Sequence, residues 1–216
     1  MVADQLGRIG DKTEFSPVVH EFFSQAFALY EGNPVDYRIQ CRCISAMIGK
    51  LVEVRCLGKD EYESLIMKVA QFGAKVQNKP QQCEMVAMCA YLFYVAEEDG
   101  TVIYGNEKRA LECLQRALKL ADSCTTADAS NLGLFVDLLE HYLYFFVKKC
   151  PTISGNYISG LAALIKEHTN NLGHMGGPIA AAREHFTQLI RHIKLMKDST
   201  ESAEQFATID VSSINA

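Results

Sequence analysis

The chain lacks any apolar run of the roughly 18–20 residues that a membrane-spanning helix needs. It also lacks a surplus of positive charge. Lys and Arg number 21 against 26 Asp and Glu, for a formal net charge of −5, so nothing points to a nucleic-acid surface. A basic amphipathic helix and a lipidation motif are missing too, which leaves membrane contact indirect. The first thirty residues carry Asp4, Asp11, Glu14 and Glu21 and do not have the pattern of a signal peptide. There are eight cysteines but no CxxC, and Cys41 and Cys43, two apart, point to different sides of a helix. Most of the eight fall inside helical patterns, where a cysteine behaves as a small apolar residue. They read as free thiols in a reducing compartment.

Catalytic and metal-binding sets are equally scarce. The histidines are His20, His141, His168, His174, His185 and His192. His185 and His192 are seven apart and share a helix face, but without HExxH or a cysteine at ligand spacing they read as polar-face residues. Glu97-Glu98-Asp99-Gly100 lacks the alternating ligands and closing Glu of a calcium loop. Gly173-His174-Met175-Gly176-Gly177 has no strand before it and reads as a linker rather than a phosphate cradle. The expectation is a protein without cofactor, metal or catalytic set. Strand signals are nearly absent as well: Val102-Ile103-Tyr104 is the one local β pattern, and it has no evident pairing partner.

Helical periodicity is abundant. Asn106–Cys124 is the clearest case, with Ala110, Leu111, Leu114, Ala117, Leu118 and Ala121 on one face and charged residues on the other. That stripe is too narrow to stand alone and must lie on other helices. Ser16-Pro17 opens a first helix ending near Glu31, before Gly32-Asn33-Pro34. Further helices are expected over about 36–57, 60–76 and from Lys79-Pro80 to Ala96, the last apolar nearly all round. After Asn106–Cys124, Thr125–Asp128 has the form of a capping box for a sixth helix ending near Lys149. A seventh follows over about 154–170 and an eighth from Pro178 to about 197. Alternate helices begin near 17, 60, 106 and 154, a period of roughly 43–48 residues, close to HEAT-type repeats. The expected fold is all-α: a right-handed α-solenoid of about four HEAT-like antiparallel helix pairs over 16–198, with a compact helical bundle as the other architecture. Residues 1–15 read as a frayed lead-in, and the Ser- and Thr-rich residues 199–216 as a disordered tail.

Aromatic residues exceed what one seam needs. Tyr91, Phe93 and Tyr94 lie on the fourth helix, and Tyr142, Tyr144, Phe145 and Phe146 on the sixth. In an alternating stack even helices line one wall, and tyrosines there suit a protein partner.

Five strings, HEFFSQAFALYE (20–31), CAYLFYV (89–95), KRALECLQRALKLADSC (108–124), HYLYFF (141–146) and EHFTQLIRHIKL (184–195), occur in an order that resembles one family. It is the large solenoid subunit of retromer, the vacuolar protein sorting-associated protein 35 family, in its C-terminal part. The resemblance covers about residues 5 to 197. It implies a scaffold in the endosomal sorting coat, cytoplasmic and peripheral on endosomal membranes. Its solenoid holds a small subunit of metallophosphoesterase fold, vacuolar protein sorting-associated protein 29. The arrestin-like subunit would be reached only through an N-terminal half that this chain lacks, so a fragment or truncated paralogue is expected. Carried over by position, Tyr91 stands where the family often has a His on the wall facing the small subunit. Tyr94, Tyr142, Phe145, Phe186 and His192 are the further wall candidates. For self-association the family pairs acids after LYE with lysines before KP. Glu31, Asp36, Lys75 and Lys79 keep that pattern here, while Gly32, Asn33 and Asn78 depart from it, implying a weakened contact. The competing function is a free-standing helical-repeat adaptor for peptides, which a strict 34-residue period would favour and this sequence does not have.

Overall fold

The computed structural model describes residues 15–32, 36–172, 176–200 and 202–214. The lead-in before Phe15 lies outside the described residues, as do Asn33-Pro34 and most of the expected glycine linker, His174 included. Helices dominate: α1 Ser16–Gly32, α2 Tyr37–Glu53, α3 Lys59–Lys75, α4 Lys79–Phe93, α5 Glu107–Ala127, α6 Gly133–Val147, α7 Gly155–Asn171, α8 Pro178–Asp198 and the single turn α9 Ala203–Phe206. A short hairpin, β1 Tyr94–Ala96 and β2 Val102–Gly105, follows α4, and a 3-10 turn, Ala129–Leu132, precedes α6. The chain is all-α, as its periodicity implies. The odd helices α1, α3, α5 and α7 begin at Ser16, Lys59, Glu107 and Gly155, close to the expected spacing. Two compact units divide it, Met1–Cys113 and Leu114–Ala216.

In the first unit, α4 packs on both α2 and α3. That placement accounts for its all-round apolar surface: Cys83, Met85, Val86, Ala87, Cys89, Ala90, Leu92 and Phe93 are all buried. Buried Gln82 is satisfied, donating to Ala74 O at 2.5 Å and accepting from Lys79 Nζ at 2.9 Å. α2 buries Cys41, Ile44, Met47, Ile48 and Leu51, an i, i+3, i+4 stripe. α3 buries Tyr62, Leu65, Ile66, Val69 and Phe72. α1 and α3 run side by side in the same direction. Ser16 Oγ donates to Glu61 at 2.6 Å at their starts, and the Tyr30 and Phe72 rings lie 4.3 Å apart near their ends. Glu61 also accepts from Gly58 N at 2.9 Å, which caps α3.

Three local expectations are corrected here. α2 stops at Glu53, short of Leu57, because Arg55 turns back and donates to Val52 O at 2.6 Å and Val54 O at 3.0 Å, taking carbonyls that further helix would use. α4 stops at Phe93 instead of Ala96, and Tyr94–Ala96 becomes the strand that pairs antiparallel with Val102–Gly105. The β signal at 102–104 therefore has a partner after all. The turn between them is set by Gly100 at φ 87° and by Asp99, which accepts from Thr101 N at 2.9 Å. Finally, no capping box forms at Thr125–Asp128. α5 continues through Ala127, and Asp128 instead caps the 3-10 turn, accepting from Ser130 N at 2.9 Å.

In the second unit, α6 is flanked by α7 and α8. It buries Leu134, Phe135, Val136, Leu138, Leu139, Tyr142, Leu143, Phe145 and Phe146. It ends in a left-handed residue, Lys149 at φ 55°, with Lys149 N donating to Phe146 O and Cys150 N to Phe145 O, each at 2.9 Å. The tail is a further correction. Its residues 202–214 form α9 and then lie against the unit, with Phe206, Ile209, Val211 and Ile214 buried. Polar composition suggested disorder, but four apolar residues at spacings of three, two and three form a buried side.

Candidate functional site

The six wall candidates separate sharply by burial. Tyr142 and Phe145 on α6 are 1% and 0% exposed, and Tyr94 on β1 and Phe186 on α8 are 5% exposed. These four are largely buried within the chain. Tyr142 stacks on Tyr157 at 5.7 Å, and its buried hydroxyl has no hydrogen-bond partner among the described residues. Tyr91 on α4 is half-buried and His192 on α8 is exposed. Of the six, only Tyr91 and His192 are accessible to another protein, one in each unit.

The expected self-association set is gathered at one end of the first unit. α1 ends there and α2 begins there, and α3 ends and α4 begins there, so Glu31, Asp36, Lys75 and Lys79 are all exposed at that end. Three of them have partners within the chain. Glu31 pairs with Lys68 at 3.2 Å, Asp36 caps α2 by accepting from Arg38 N at 3.3 Å, and Lys79 donates to Gln82. Lys68, which sequence reasoning missed, also lies over the Phe27 and Phe72 rings at 5.3 and 5.9 Å.

A second feature went unforeseen in the first unit. Val19, Phe22, Phe23, Ala26, Ala46, Met47, Lys50 and Val54 line a shallow, mainly apolar groove of about 390 Å³ between α1 and α2. Phe22 and Leu29 on α1 are 60% and 67% exposed. The signal in the sequence is the apolar series Val19, Phe22, Phe23 and Ala26, wider than one packed helix face needs.

Titratable groups form no catalytic arrangement among the described residues. His185 faces Asp137 and Glu140, each at 3.8 Å, on the outside of α6 and α8. Burial holds His141 down at about 4, so its imidazole is neutral at physiological pH. Burial pushes the Cys89 thiol far up, which makes it a poor nucleophile. No group of three metal-ligating side chains occurs among the described residues. No helix among them is long and apolar enough to cross a membrane.

Residues 3–168 match the family model described as vacuolar protein sorting-associated protein 35. Vacuolar protein sorting-associated protein 35 of Schizosaccharomyces pombe is 33% identical over 165 residues, which is 76% of this chain and 20% of that protein. Proteins 35B and 35A of Arabidopsis thaliana are 32% identical over 199 residues and 36% over 168. Those alignments take in 89% and 75% of this chain, but 25% and 21% of the two plant proteins. The chain thus spans a fifth to a quarter of the length of these relatives.

Proposed function

The chain belongs to the vacuolar protein sorting-associated protein 35 family, and on that premise we propose that it is a non-catalytic section of the retromer scaffold. It acts in the cytoplasm, peripherally on endosomal membranes, and supports retrograde endosome-to-Golgi transport. Its helical wall holds the metallophosphoesterase-fold subunit, vacuolar protein sorting-associated protein 29. The observation that carries this reading is the family match over residues 3–168.

The accessible candidates for this contact, each taken within its own unit, are Tyr91 in the first and His192 in the second. A half-buried tyrosine supplies apolar area and a polar tip at little entropic cost, the combination favoured in interface cores. Tyr94, Tyr142, Phe145 and Phe186 shape the wall from beneath. Truncating any of them to Ala would cost about 3–5 kcal/mol of stability and obscure any effect on binding. Self-association is weak, because Glu31, Asp36 and Lys79 already have intramolecular partners.

Isothermal titration calorimetry against the phosphoesterase-fold subunit of the same organism tests the assignment. Tyr91→Asp should weaken binding by about 2 kcal/mol or more, the loss typical of a hot-spot aromatic, with helicity by circular dichroism unchanged. His192→Ala should have a smaller effect. A folded chain that does not bind the subunit at all rules the scaffold reading out for this segment.

A further inference from the structure

The tail is held by a set of contacts that is unusually complete for so short a segment. Gln205 Nε2 donates to Phe146 O, at the end of α6, at 2.5 Å. The Phe206 ring meets Phe146 edge-on at 5.4 Å. Asp210 N donates to Ser159 Oγ on α7 at 2.8 Å, and Ser159 Oγ itself donates to Gly155 O at 2.8 Å, which fixes its orientation. Lys166 Nζ on α7 donates to Ser213 O, and Lys194 Nζ on α8 donates to Ile214 O at 2.8 Å.

Gly155, the first residue of α7, is part of the same arrangement. A Cβ at this position would lie 2.7 Å from Thr208 O and 2.8 Å from Thr208 C, both backbone atoms that cannot swing aside. The bare α-carbon is therefore what lets the tail backbone approach the start of α7. Phe206, Ile209, Val211 and Ile214 point inward and are buried, while Ala207, Thr208, Asp210, Ser212 and Ser213 face solvent.

We propose that the surface formed by α7, α8 and the end of α6 is a peptide-recognition groove, held in the resting chain by its own segment 206–214. The division of contacts supports this. Ser159, Lys166 and Lys194 meet main-chain atoms of the segment, which any peptide presents. The four buried side chains supply the selectivity. The ligand class is an irregular or extended peptide with an aromatic anchor followed by aliphatic anchors at +3, +5 and +8, and with no requirement on the residues between. Beyond Phe206, the last residue of the single turn α9, the segment belongs to no helix and no sheet. It is thus separable from the groove in a way that α7 and α8 are not. The same peptide offered in trans is the occupant once the segment is lifted out. This inference is independent of the retromer reading.

The test uses the full chain carrying Phe206→Asp and Ile209→Asp, with a fluorescein-labelled peptide of residues 202–216 as the probe. Fluorescence anisotropy should show saturable binding to this variant and little to the wild-type chain, whose groove is filled. A probe carrying the same two substitutions should not bind. Adding Gly155→Val to the receptor should weaken binding about tenfold or more, because its side chain overlaps the peptide backbone. A folded double variant that fails to bind the probe overturns the proposal.

Should the double variant lose helicity, Gly155→Val alone decides the matter by amide hydrogen exchange. Faster exchange over 206–214, with α6 to α8 still protected, supports a separable segment in a defined groove. Unchanged exchange over 206–214, or loss of protection throughout the unit, overturns it.

Discussion

Two buried tyrosines show how far a single side chain's meaning depends on its surroundings. Tyr62 on α3 and Tyr142 on α6 both occupy apolar positions of an amphipathic pattern, and burial raises the pKa of both well above the usual phenol value. Tyr62 donates its hydroxyl to Leu92 O at 3.2 Å, close to where α4 gives way to β1. Tyr142 has no such partner among the described residues. Removing each hydroxyl should therefore have opposite outcomes. Tyr62→Phe orphans a buried carbonyl and should cost about 1–2 kcal/mol by urea denaturation. Tyr142→Phe removes an unmet polar atom and should leave stability unchanged or raise it. Equal losses for the two would contradict the hydrogen-bond assignment. The same distinction separates the wall candidates. The aromatic surplus on the fourth and sixth helices was legible in the residue pattern. That Tyr94, Tyr142 and Phe145 spend it on the chain's own core was not, because an apolar side chain carries no mark of which neighbour will cover it.

At the level of elements, existence was legible and ends were not. Each main helix announces itself by period, and Pro80 and Pro178 mark starts through their fixed φ and missing N–H. The errors fall where a distant group decides. α2 ends early because Arg55 takes its last carbonyls while also gripping Glu97, 42 residues on, at 2.9 Å. That link ties the end of α2 to the hairpin turn. Arg55→Ala should cost about 1 kcal/mol in urea denaturation, more than the loss of an exposed ion pair alone, because two main-chain carbonyls lose their donor. Arg55→Lys should recover little of it, since a single ammonium cannot reach both carbonyls and the carboxylate in one geometry. Tyr94-Val95-Ala96 is similarly ambiguous in sequence. It continues the apolar run of α4, yet aromatic and β-branched residues also suit a strand. The presence of Val102–Gly105 across a tight turn settles the choice.

Across the molecule, the cysteines report on the core. All eight are free thiols, six of them buried, with Cys43 and Cys113 half-buried. In a native chain, a thiol reagent such as Ellman's reagent should react first at Cys43 and Cys113. The other six should react only as the chain unfolds, so that their rate tracks the opening equilibrium under mild denaturant. Rapid native labelling of Cys83 or Cys89, which are 1% exposed, would contradict the packing of α4.

The all-α class and the repeat spacing were determined by the sequence alone, because periodic burial is a local property that every helix writes into its own residues, and the family is carried by the five strings that resemble it. The helix starts at Ser16, Lys59, Glu107 and Gly155 lie within a few residues of where the pattern placed them. Only the tertiary structure decided the rest: the hairpin, the early end of α2, the burial of the wall aromatics and the folding of the tail. Each depends on a partner many residues away. The tail is the clearest instance, since its polar composition argues for disorder by itself. A groove with a bare α-carbon at Gly155 and donors at Lys166 and Lys194 gives its four apolar residues somewhere to go. Burying them in that groove offsets the entropy of ordering the segment, which nothing within residues 199–216 could have done.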